Sequence, residues 1–212
     1  MALENYFIEQ IPYQLAMDYA RLDHYLKRTC PVSFAFGLFT KDSLQPLGVV
    51  TYGVSPSSTL MRGICGKDEA ANVYELNRLW VSDAVPFNGE SYLVANTMKL
   101  LDKEIIVSFA DTSQNHIGFI YQACNFIYTG LSSKFTDPKV KGLEHQHHAT
   151  YANGLTNQQV IDKFGAENVQ FVPRPRKHRY VYINAKGIKR KQLLAKLNYP
   201  QLPYPKTNVG IT

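Results

Sequence analysis

The chain has 212 residues, 45% of them apolar, enough for one domain of ordinary size or a domain with an appendage. No apolar run approaches the ~18 residues of a membrane span. Residues 1–10 carry Glu4 and Glu9 where a signal peptide would be basic and apolar, so a cytoplasmic protein is expected. The formal charge of +6 is unevenly distributed: residues 1–129 balance to −4 and residues 130–212 to +10, which points to a polyanionic partner, nucleic acid first, over a merely solvated surface.

The hydrophobic pattern predicts a strand over Tyr6 to Glu9, then a helix entered through Pro12 and running to about His24 or Lys27. Val32 to Thr40 and Leu47 to Val54 read as a hairpin, and Ser55 to Asp68, rich in Ser and Gly, as a loop. Tyr74 to Val81 is a strand whose broken alternation predicts a bulge. Asn88 is placed to cap a helix over Glu90 to Leu101.

Ile105 to Gly130 packs strand, polar turn, short helix and strand into one compact unit. Ile105 to Phe109 is the first strand, His116 to Cys124 the helix, and Phe126 to Gly130 the second strand. Asp111 falls where the first strand ends, on the carboxyl edge where α/β sheets bind ligands.

Beyond it, Gly142 to Gly154 reads as a polar loop and Thr156 to Phe164 as a helix with capping-box spacing. Val169 to Val172 and Arg179 to Asn184 read as strands of a basic hairpin, and Lys189 to Leu197 as a basic helix. Cys30, Cys65 and Cys124 are far apart and read as reduced thiols, not a disulfide frame or a CxxC zinc site. Glu144 to His148 is His-rich, but its spacing fits no standard site and no metal is expected.

The order of elements, with Tyr121 followed by Asn125-Phe126, resembles the GNAT acyltransferases. The fold expected is therefore α/β (α+β): a GNAT-like mixed central sheet flanked by helices over residues 1–130. A basic C-terminal extension, residues 131–212, is expected to pack on it and bind DNA.

A narrower set of motifs resembles the phage Mom proteins. It comprises DHYLKR at Asp23 to Arg28, ELNRLWVSD at Glu75 to Asp83 and NGES at Asn88 to Ser91. Ala110-Asp111 with His116 and Gly118, and KHRYVY at Lys177 to Tyr182, complete it. That resemblance implies an enzyme placing a carbamoylmethyl (glycinamide-type) group on adenine N6 in duplex DNA, protecting phage DNA from host restriction. The residues it implies for the site are His24, Tyr25, Arg78, Ser91 and Asp111.

The residues themselves keep two readings apiece. The helix start at Asn88, Gly89 and Ser91 suits an anion on free N–H groups, or is an ordinary cap. Arg78, buried in an apolar strand, clamps a donor oxygen or pairs with Glu75, Asp83 or Asp111. Asp111 is the expected base toward N6, or a helix cap; in the latter case His24 or Glu75 is the next candidate. Tyr121 protonates a leaving group or is a core aromatic. Arg174, Arg176, Lys177, Arg179 and Tyr180 are expected to hold DNA phosphates, with an aromatic stacked on a base.

The GNAT pyrophosphate loop is replaced by Asp83 to Gly89 with one glycine, so weak or no coenzyme A binding is expected. Acetyl-CoA, glycine or an aminoacyl-tRNA remain open as donors, and a homodimer has no residue signature of its own. The alternatives are a conventional acyl-CoA-dependent N-acyltransferase and a non-catalytic DNA-binding protein.

Overall fold

The computed structural model describes residues 3–22, 29–146 and 148–207. The DHYLKR motif, with the expected site residues His24 and Tyr25, lies outside the described residues, as does His147.

Strands β1 (Tyr6–Gln10), β2 (Phe34–Thr40) and β3 (Gly48–Gly53) form an antiparallel meander, with helix α1 (Tyr13–Leu22) between the first two. The stretch expected as a loop contains helix α2 (Ser58–Cys65). Its signals are short ones. The Ser57 side chain accepts the Leu60 N–H, and Gly66 ends the helix at φ +94°, a conformation that favours glycine. Between those caps, Leu60, Met61, Ile64 and Cys65 supply an apolar stripe to the core.

Strand β4 (Val73–Val81) pairs antiparallel with β3, and the expected bulge is present. Thr51 opposes Arg78 while Tyr52 opposes Leu76, leaving Asn77 as the extra residue. The bulge reverses the alternation. Tyr74 and Leu76 before it, and Leu79 and Val81 after it, join the same hydrophobic cluster. Arg78 is thereby turned away from that cluster. Helix α3 (Gly89–Thr97) follows, then β5 (Ile105–Asp111), the short helix α4 (Phe119–Ala123) and β6 (Ile127–Leu131).

The remainder of the chain departs from expectation. The two strands read as a basic hairpin do not pair with each other. β8 (Val169–Pro173) pairs with β7 (Thr136–Val140), an unpredicted strand, in a separate small sheet covered by α5 (Ala149–Ala152) and α6 (Asn157–Phe164). α6 carries the predicted capping box, with Thr156 and Gln159 bonded reciprocally.

β9 (Lys177–Ile183) returns to the main sheet, whose order is β1-β2-β3-β4-β5-β9-β6. It lies antiparallel between β5 and β6, and helix α7 (Gly187–Ala195) packs behind it. The physical reason is composition: Tyr180 and Tyr182 point to one apolar cluster and Val181 and Ile183 to the other, as in a strand covered on both faces. A boundary at residue 130 therefore does not divide the sheet, because a strand from beyond it is built in.

The result is a mixed α/β layer, mostly antiparallel. Helices α3 and α4 cover one face, and α1, α2 and α7 the other. Among the described residues only β4 and β5 pair in parallel. They pair over Val73, Tyr74 and Glu75 against Ile105, Ile106 and Val107, then diverge. No helix among the described residues is long and apolar enough to cross a membrane.

Candidate active site

The divergence of β4 from β5 creates the site. Past Glu75 the two strands share no ladder, so their carboxyl-terminal halves form the walls of a cleft. Two cavities occupy it. The first, about 620 Å³, is lined by β4 from Glu75 to Val81, by Phe109 and Ala110, by the loop Gln114 to Gly118, and by Phe119 to Tyr121. The second, about 600 Å³, is lined by Cys30, Pro31, Pro56, Asp111, Ser113, Asp137, His148, Arg174 and Pro175, among others. Four residues line both: Glu75, Asn77, Arg78 and Lys177.

Glu75 is the last β4 residue paired with β5. Burial raises its carboxyl above the usual range. A hydrogen bond with Ser55 and the charges of Lys177 and Arg78 offset this only in part. Such a carboxylate is a stronger base than a solvated one and sits where both cavities reach it.

Arg78 is buried, and its Nη1 donates to the Asn77 carbonyl. Asn77 is fixed in turn by Thr51 Oγ1 and by its own bond to the Pro31 carbonyl, 2.7 Å. The charge of Arg78 acts on the Glu75 carboxyl, one of the partners expected for it.

Asp111 caps the turn after its strand and also holds a cation. Its Oδ1 accepts from the Ser113 N–H at 3.0 Å and the Ser113 hydroxyl at 2.7 Å, capping the turn Thr112–Gln114. Its Oδ2 lies 3.0 Å from Lys177 Nζ, the residue opposite it across β5 and β9. Burial pushes this carboxyl up, but the bonds from Ser113 and Lys177 outweigh it and hold it below the usual carboxylate range. Asp111 thus anchors Lys177 at the junction and is a weak base.

Tyr121 lines the first cavity, with its ring 5.3 Å from Tyr180 and 5.5 Å from Phe126. Its body packs on the sheet while it borders the cleft.

The helix start behaves differently from expectation. Asn88 sits at φ 73° and makes no side-chain cap. The Ser91 hydroxyl donates back to the Asn88 carbonyl at 3.0 Å. Neither Asn88, Gly89 nor Ser91 lines a cavity; Glu90 does. A Cβ on Gly89 would meet the Val85 side chain at 2.4 Å, so this glycine serves packing and not access to a ligand. A carboxylate at the helix start and a glycine closed by Val85 do not fit the diphosphate of a coenzyme A ester.

The expected DNA-binding residues are mostly occupied by the protein itself. Tyr180 is fully buried under Gly118 and donates its hydroxyl to the Ile117 carbonyl, so it presents no ring to a base. Arg179 is buried: Nε bonds Thr129 Oγ1 at 2.9 Å, and the guanidinium stacks 3.4 Å from the Tyr199 ring centre. Arg176 donates to the Ser132 carbonyl. Arg174, paired with Asp137, and Lys177, paired with Asp111, remain at the wall of the second cavity. Of the stretch that suggested a nucleic-acid surface, Lys177 to Tyr182 belongs to a central strand, while Arg174 and Arg176 lie in the connection before it.

The sequence profile of the Mom protein family matches residues 5–206. The methylcarbamoylase Mom of Escherichia phage Mu is 28% identical over 218 residues, covering 94% of this chain and 83% of that protein. Among solved structures, the ribosomal-protein-S5-alanine acetyltransferase of Vibrio fischeri superposes with a TM-score of 0.48 at 13% identity. It covers 88% of this chain and 97% of its own. A GNAT-family acetyltransferase of Bacillus cereus gives a TM-score of 0.44 at 12% identity, covering 85% and 99%.

Proposed function

We propose that this chain, which belongs to the Mom protein family, is a DNA-modifying transferase that moves a carbamoylmethyl group to the exocyclic N6 of adenine. The phage Mu relative is named a methylcarbamoylase. The observation that carries the reading is the meeting of two separate cavities at Glu75, Asn77, Arg78 and Lys177. A group transfer between two bound molecules needs that plan, with the donor on one side, the acceptor on the other and the reacting atoms at the junction. The first cavity, with Tyr121 and the β4 wall, takes the donor. The second, walled by Arg174 and Lys177 from the basic third of the chain, takes the base.

Adenine N6 is inside the duplex stack, so the nucleotide must be extruded to reach the junction. Its lone pair is delocalised into the ring, and attack on an electrophilic carbon needs assistance. Glu75 accepts the N6–H hydrogen bond and takes that proton as the N–C bond forms. Arg78 holds the oxygen of the donor's amide, and Lys177, steered by Asp111, holds the site's second positive charge there. The carbon–leaving-group bond breaks as the N–C bond forms, and the Tyr121 hydroxyl protonates the departing group. A small, uncharged carrier or an aminoacyl donor suits the first cavity better than a diphosphate does, given Glu90 on its wall.

The test is to express the protein in Escherichia coli, digest the DNA to nucleosides and weigh the deoxyadenosine. A species heavier by one carbamoylmethyl in place of one hydrogen is expected. DNA carrying only unmodified or acetylated adenine would refute the assignment.

A further inference from the structure

We infer that Phe135 is the wedge that enters the DNA stack and takes the place of the extruded adenine, an inference that rests on reading the second cavity as the adenine pocket. Phe135 ends the short connection between β6 and β7, and 58% of it is exposed. It joins none of the hydrophobic clusters among the described residues, so its ring is not part of the core.

The backbone beneath it is nevertheless pinned at both ends. The Phe135 carbonyl accepts the Arg174 N–H at 2.8 Å. At the other end Ser132 donates its N–H to the Lys177 carbonyl at 2.8 Å and accepts from Arg176 Nε at 2.6 Å. Its hydroxyl also takes the Lys177 N–H at 2.9 Å. This solvent-facing aromatic sits on a segment stapled to two residues that line the second cavity, Arg174 and Lys177, which fixes its backbone relative to them.

Its surroundings match a duplex. The Arg174 guanidinium lies 5.7 Å from the ring centre, fixed by Asp137, and Lys134 is exposed next to it in the chain. A planar ring between two cations fits a base step between two phosphates, and proteins that unstack DNA insert apolar side chains in this setting. The other large exposed aromatics lie elsewhere. Phe119 borders the first cavity, whose wall carries Glu90, and Phe87 precedes α3. Phe135 is the exposed ring in contact with Arg174, a residue of the second cavity's wall.

The experiment uses duplexes carrying 2-aminopurine in every nearest-neighbour context, with anisotropy for binding and base fluorescence for unstacking. Wild type should bind and raise the fluorescence several-fold in at least one context. Phe135→Ala should melt at the wild-type temperature, bind within about threefold and lose most of that rise; Phe135→Trp should keep it. A full rise with Phe135→Ala overturns the wedge and leaves the adenine pocket standing. Wild-type protein that fails to bind, or binds with no rise in any context, overturns the extrusion reading and the wedge with it.

Discussion

Replacing Glu75 by Gln keeps the shape and the hydrogen-bonding reach to Ser55 while removing the group assigned as base. Positioned general bases contribute roughly 10²–10⁴ in rate, about 3–5 kcal/mol of barrier, and the variant should lose activity within that range. Stability should move the other way. Burial raises this carboxyl despite the nearby Arg78 and Lys177 charges, so desolvation exceeds what those cations return. A carboxyl raised in the folded state makes folding less favourable as pH rises through the carboxylate range. At neutral pH Glu75→Gln should melt no lower than wild type, and the difference should shrink toward acid, where Glu75 is protonated in both states. Arg78 keeps the Asn77 carbonyl and Lys177 keeps Asp111, so neither is stranded. The assay is a time course of modified deoxyadenosine after induction, alongside thermal melts across pH. A Gln variant that modifies DNA at a third or more of the wild-type rate would refute the base assignment. One that melts several degrees lower would show that its ion pairs outweigh its burial.

Four further outcomes are expected. The Asp111 carboxyl is held below its usual range in the folded state, so its contribution is complete at neutral pH and fades as pH falls through its folded value; Asp111→Asn should remove that acid-side loss from the unfolding curve and, by freeing Lys177, slow modification less than Glu75→Gln does. Arg179→Ala, which breaks the bonds to Thr129 and the stack on Tyr199, should cost about 2–4 kcal/mol and lower the melting temperature by about 5–15 °C. Lys134→Ala should leave the melt unchanged and flatten the slope of log K against log salt by about 0.9, as expected for one lost phosphate contact. Gly118→Ala, at φ +83° with a new Cβ 2.4 Å from the Tyr180 ring, should destabilise by about 1–3 kcal/mol and distort the first cavity's wall.

Local patterns carried far in this chain. The β4 bulge, the Thr156 capping box, the strand ending at Asp111 and the acidic-to-basic charge shift were all legible in the sequence, because each depends on neighbours within a few residues. Arg78 also stood out, since a cation in an apolar strand is visible in one dimension, and it lines both cavities. Partner choice is not local. Lys177 to Ile183 reads as a strand from its composition, but only the folded chain decided that it lies between β5 and β6 and not against Val169–Pro173. That insertion buried Tyr180 and Arg179, converting an apparent nucleic-acid surface into core. It also brought Lys177 opposite Asp111, which committed that carboxylate to an ion pair. In the sequence Glu75 was one possible counter-ion among several and an alternative base behind Asp111. Its standing came from the point where β4 and β5 part, a property of two strands separated by a helix in the chain and joined only by the sheet.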